Sequence, residues 1–187
     1  MREPSGRPRK PTLAERREQR AAVEDPGEVV DAAARLLEAR PRSVAEIRRR
    51  LTAAGYRTDL VAAAVERMTG LGFLDDAAFA RAWVESRDRA HPRGEHALRQ
   101  ELRLKGIKQS LVDEILDERQ VAGAGTDADL AAAEHLLERS ARALARLTDP
   151  RLRRQRAYTL LARHGFSPSV AADVARRLVE GDEATDE

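Results

Sequence analysis

Apolar positions return every three to four residues along most of this chain, and they do so in a repeating unit. Three segments align on a glycine: EIRRRLTAAGYRTDLVAAAVERM on Gly55, ALRQELRLKGIKQSLVDEILDER on Gly106 and AYTLLARHGFSPSVAADVARRL on Gly165. Four residues before the glycine stands Leu51, Leu102 or Leu161, and one residue after it Tyr56, Ile107 or Phe166. Five and six residues after it come Leu60-Val61, Leu111-Val112 and Val170-Ala171; nine and ten after it, Ala64-Val65, Ile115-Leu116 and Val174-Ala175. A helix that ends on a left-handed glycine lets the apolar residue behind it fold back on the last turn, after which a second amphipathic helix can start. Each segment therefore predicts a helix–turn–helix hairpin.

A longer helix is expected before each hairpin. DAAARLLEAR, DAAFARAWVESR and DLAAAEHLLERS share one register, in which Leu36-Leu37-Glu38, Trp83-Val84-Glu85 and Leu136-Leu137-Glu138 coincide. The spacing predicts nine helices, at 28–39, 43–54, 58–70, 76–89, 94–105, 109–120, 127–147, 151–164 and 168–180. Ser43 and Glu46 form a capping-box pair, while Asp149-Pro150 and Ser167-Pro168 each set a cap residue before a proline at the first helical position. The expected fold is all-α: three tandem three-helix, helix-turn-helix-like repeats at 26–72, 73–122 and 123–180, stacked into an elongated, curved, monomeric body. Residues 1–25 read as a disordered basic arm with a short helix at Leu13–Val23, and 181–187 as a disordered acidic tail. VAGAGT, 121–126, reads as a flexible linker.

Composition narrows the chemistry. Ala, Leu, Arg and Glu dominate, which favours helix, and β-branched residues are too sparse for a sheet. With no cysteine there is no disulfide and no thiolate site, which suits a reducing cytoplasm. His91, His96, His135 and His164 form no H-x-x-x-H or H-E-x-x-H pair, so no metal is expected. Neither a phosphate-binding glycine loop nor a nucleophile elbow occurs, so no cofactor and no catalytic residue is expected. No apolar run reaches the roughly 20 residues that cross a bilayer, and the start, MREPSGRPRKP, lacks the apolar region of a secretory signal. The formal charge is only +2, yet residues 1–20 hold seven Arg or Lys against three Glu.

One stretch stands apart. GFLDDAAFARAWVESR, 72–87, holds the only tryptophan and two of the three phenylalanines. Gly70 and Gly72 end the third helix, and Leu71, Phe73 and Leu74 are expected to turn back into the core. Asp75 or Asp76 caps the fourth helix, where a carboxylate meets the positive end of the dipole. Phe79 and Trp83, four apart, share one face, expected to lie where the first triplet meets the second. The rival reading of the Asp pair as an acid/base or metal site lacks a third ligand nearby in sequence.

GFLDDAAFARAWVESR, ALRQELRLKGI and RAYTLLARHGFSPSV, in that order, resemble the RecX family of bacterial regulators of the RecA recombinase, with the likeness running over about residues 28–180. One departure is HPRGEHAL, where Glu95 and His96 follow Gly94 in place of basic residues. The resemblance implies tandem three-helix repeats. It also implies binding in the helical groove of the RecA filament on DNA, with control of recombinase, ATPase and coprotease activity in DNA repair and the SOS response. The candidate contacts are basic residues off the apolar stripe: Arg48, Arg49 and Arg50; Arg99, Arg103, Lys105 and Lys108; Arg153, Arg154, Arg156 and Arg163. Stacked repeats are expected to align them into one stripe, which would also permit weak direct DNA binding. The alternative function is a stand-alone helix-turn-helix DNA-binding protein.

Overall fold

The computed structural model describes residue 9, residues 11–122 and residues 127–183. The expected tail residues 184–187, linker residues 123–126, and residues 1–8 and 10 of the expected arm lie outside the described residues. Ten helices and no strand occur among the described residues. The chain divides into two units, Met1–Asp75 and Asp76–Glu187.

The first unit holds α1 (Leu13–Ala21), α2 (Pro26–Ala39), α3 (Val44–Ala54) and α4 (Thr58–Gly70). Its core gathers Val29 and Ala33 of α2, Ile47 and Leu51 of α3, and Val61, Ala64, Val65 and Met68 of α4, closed by Leu74. Within 1–25, α1 occupies Leu13–Ala21, where the short helix was expected at Leu13–Val23. Thr12 and Glu15 make a reciprocal capping box on α1. Arg20 donates to the Ala54 carbonyl at 3.3 Å, and its guanidinium lies 5.8 Å from the centre of the Tyr56 ring. A Cβ on Gly55 would come within 2.8 Å of the Arg17 carbonyl oxygen, so α1 rests directly on the α3–α4 turn. The contact is made by arginine stems and backbone, which an apolar pattern does not register.

The second unit contains α5 (Asp76–Ala90), α6 (Glu95–Leu104), α7 (Gln109–Ala122), α8 (Ala128–Leu144), α9 (Pro150–Arg163) and α10 (Pro168–Glu183). Two clusters fill it. Phe79, Ala80, Val84, Leu98, Leu102, Ile107, Val112, Ile115 and Leu116 form one. Ala132, Ala133, Leu136, Leu137, Leu144, Ala157, Leu161, Phe166, Ala171, Val174 and Ala175 form the other. Two polar joints bind these clusters together. Arg119 of α7, buried, donates to both Asp88 oxygens at 2.9 and 3.0 Å and to Asp129 at 2.7 Å. Asp129 also accepts the Glu95 N–H that opens α6. Beside it the Gly94 N–H donates to the His164 carbonyl at 3.0 Å, so closely that a Cβ on Gly94 would sit 2.3 Å from the Gly165 oxygen.

All three hairpin turns share one geometry. Gly55, Gly106 and Gly165 have φ of +107°, +81° and +83°. In each, the N–H after the glycine donates to the carbonyl of the leucine four residues before it: Tyr56 to Leu51, Ile107 to Leu102, Phe166 to Leu161. This closure explains the repeated leucine–glycine–apolar spacing.

One expectation fails around residue 72. Leu71 and Phe73 are 58% and 65% exposed, and only Leu74 is buried. Gly72, at φ +76°, reverses the chain, and the Phe73 and Leu74 N–H groups both donate to the Met68 carbonyl. That tight turn holds Phe73 outward before Leu74 enters the core. Phe79 and Trp83 stack with centroids 6.0 Å apart, and they pack in one cluster with Leu98, Leu102 and Ile115 of the second unit. Asp76 opens α5, with Asp75 directly before it.

Candidate partner-binding surfaces

The basic candidates fall into three environments. In α3, Arg48 and Arg49 are exposed and their side chains make no hydrogen bond or ion pair among the described residues. Arg50 is tied to Glu46, whose carboxylate also receives Arg40 and Arg42. Burial pushes the Glu46 carboxyl up, but hydrogen bonds from the three guanidiniums outweigh it and hold the group at about 2.

In α6, Arg99 is engaged by Glu95 and Asp113, which raise its pKa and cancel its charge locally. It therefore does not present a free cation. Arg103 and Lys108 are exposed and their side chains make no hydrogen bond or ion pair among the described residues. Lys105 and Arg87 each place their charge 4.4 Å from the centre of the Trp83 ring, and the indole N–H donates to Glu101 at 2.8 Å. Trp83 thus fixes two cations at the α5–α6 surface.

In α9, the candidates divide between two faces. Arg153 donates to the Leu147 carbonyl and finishes the end of α8. Arg154 lies with Arg151, Tyr158 and α10 residues Asp173 and Arg176 along a groove of about 820 Å³. Arg156 and Arg163 face the other way, toward α8, and share a groove of about 560 Å³ with Arg146. The basic candidates do not all occupy one position relative to the glycine. Arg48 and Arg99 both stand seven residues before their glycine, but Tyr158 holds that place before Gly165. Arg146, Arg151, Arg176 and Tyr158 were missed by the sequence reading. For Arg146 and Arg151 the signal was local charge: residues 139–163 carry eight arginines against Asp149 alone.

Among the described residues no group of three His, Cys, Asp or Glu could hold a metal, and no helix is long and apolar enough to cross a membrane. The exposed side of α7 is acidic, with Asp113, Glu114, Asp117 and Glu118.

The arrangement of hairpins matches known proteins. The model of the first three-helix domain of RecX matches residues 30–68, and that of the second matches residues 75–116. Regulatory protein RecX of Mycobacterium avium (strain 104) is 36% identical over 141 residues, covering 75% of this chain and 78% of that protein. The chain belongs to the RecX family. Regulatory protein RecX of Mycolicibacterium vanbaalenii is 37% identical over 146 residues, covering 75% of this chain and 76% of that one. The fold agrees with a crystal structure of RecX from Lactobacillus salivarius, at a TM-score of 0.69 and 17% identity over 83% of this chain and 97% of that one. Both mycobacterial relatives are named regulatory protein RecX.

Proposed function

We propose that this RecX-family protein binds the RecA filament on DNA as a cytoplasmic monomer and limits its recombinase, ATPase and coprotease activity during DNA repair and the SOS response. The observation that carries the reading is the set of exposed, unpaired basic side chains on the hairpin helices, in a chain with extensive likeness to proteins named regulatory protein RecX. Arg48 and Arg49, Arg103 and Lys108, and Arg154, Arg156 and Arg163 are the contacts this reading uses. Arg50, Arg99 and Arg153 are committed to internal partners and serve the fold instead. A stand-alone helix-turn-helix reader is the weaker reading, because the acidic surface of α7 would repel a groove.

RecA-dependent ATP hydrolysis on single-stranded DNA, titrated with this protein, tests the proposal. Inhibition below one protein per RecA monomer is expected. Reversing Arg49, Arg103 and Arg154 to Glu should raise the half-inhibiting concentration about tenfold or more. No inhibition by the wild type at a large excess would defeat the reading.

A further inference from the structure

The groove between α8 and α9 differs from the basic groove between α9 and α10. Its rim carries Arg146, Arg156 and Arg163, and its lining contains no carboxylate. None of the three arginine side chains makes a hydrogen bond or ion pair among the described residues, and all three are exposed. Beneath them lie Leu144, Leu147 and Leu160. The α9–α10 groove, by contrast, includes Asp173, and its Arg176 is already paired with Asp173 and Glu180.

Three unpaired guanidiniums around an aliphatic floor ask for an occupant with two properties. It must bring negative charge to the rim and apolar bulk to the floor. Nucleic acid supplies the first without the second. Single strands are held by a cationic track together with aromatic rings on which bases stack, and this lining contains no ring. A peptide segment with Asp or Glu beside Leu, Ile or Phe satisfies both, in the manner of an amphipathic helix laid into a groove.

We infer that the α8–α9 groove docks a protein segment bearing carboxylates beside large aliphatic side chains, and that this is the protein side of the association with RecA proposed above, on which the assignment rests. Arg156 and Arg163, two turns apart on α9, and Arg146 at the end of α8 engage the carboxylates. Leu147 and Leu160 receive the apolar side chains.

The test compares wild type with two full-length variants, Arg156→Glu/Arg163→Glu and Leu147→Asn, each checked for unchanged helical circular dichroism. Arg156→Gln/Arg163→Gln, which removes charge without reversing it, serves as a milder variant should the first fail to fold. Binding is measured to DNA-free RecA and, separately, to a short single-stranded oligonucleotide. Both main variants should bind DNA-free RecA about tenfold or more weakly, with the oligonucleotide affinity of Leu147→Asn held within about twofold. If wild type binds RecA and Leu147→Asn binds it equally well, the aliphatic floor plays no part and the inference is overturned. Loss of oligonucleotide binding alone in the arginine variants would make the groove a phosphate contact and overturn it too. A wild type that neither binds nor inhibits RecA removes the proposed function itself, and this assignment with it.

Discussion

Glu46 shows how a residue read for one role performs a second. Its position three residues after Ser43 marks it as a capping residue, and the Ser43 hydroxyl does accept its N–H at 3.1 Å. Its carboxylate, only 4% exposed, also gathers Arg40, Arg42 and Arg50. Arg42 is itself buried and donates to the Leu36 carbonyl, so the cluster fastens the end of α2 to the start of α3. A carboxyl held at about 2 in the fold, against 4.5 as its ordinary value, adds stability that is complete above about pH 4.5 and is lost as the pH falls toward 2. Arg40 and Arg50 are close to half exposed, so solvent screens part of this energy. Glu46→Gln should therefore cost about 2 kcal/mol near neutral pH, less than the full shift implies. Urea melts of both proteins at stepped pH should show the gap closing between pH 4.5 and 2. A gap that does not vary with pH would assign the cost to shape rather than charge. The capping half of this role was legible in sequence because it spans three residues. The arginine half was not, because Arg40 and Arg42 lie in a loop whose path only the packing fixes.

Between elements, the same contrast recurs. The hairpins could be read because Leu102, Gly106 and Ile107 close their turn within six residues, by the Ile107 N–H to the Leu102 carbonyl and by the buried Leu102 and Ile107 side chains. The two faces of α9 could not, since whether Arg154 and Arg156 share a surface depends on which side α8 and α10 approach. The placement of α1 on Gly55 was hidden for a related reason: its contacts run through Arg17 and Arg20. The most consequential joint in the second unit is also long-range. Asp129, at the start of α8, caps α6 through the Glu95 N–H and neutralises the buried Arg119 of α7. Burial pushes the Asp129 carboxyl up, while Arg119 and the Glu95 N–H pull it back. Asp129→Ala removes the α6 cap and leaves Arg119 with Asp88 as its one carboxylate partner among the described residues. The expected loss is about 3 kcal/mol. Amide hydrogen exchange should locate it, with protection falling first in the opening turn of α6 and in α7. Uniform loss across α10 as well would mean that the joint stabilises the unit only as a whole.

For the whole molecule, a formal charge of +2 conceals a strong division. Residues 109–138 hold eight carboxylates against Arg119, and residues 139–163 hold eight arginines against Asp149. Asp149 is occupied in capping α9 at the Arg151 N–H. The two blocks follow one another along the second unit, so the charge is divided along the sequence rather than spread as a weak net base. Charge of this kind acts chiefly on encounter: it steers an anionic partner toward one face, and salt screens it over a Debye length of about 8 Å at physiological ionic strength. The proposed association with RecA–DNA filaments should therefore slow about tenfold as ionic strength rises from about 0.05 to about 0.3 M, while dissociation changes far less. Replacing Arg146, Arg156 and Arg163 with Gln should flatten that dependence, although it moves the net charge by only three. Stopped-flow or surface-based kinetics at several salt concentrations measures both constants. If association were steered by net charge alone, a chain at +2 would show almost no salt dependence, and these substitutions, which take the net charge from +2 to −1, would leave it just as weak.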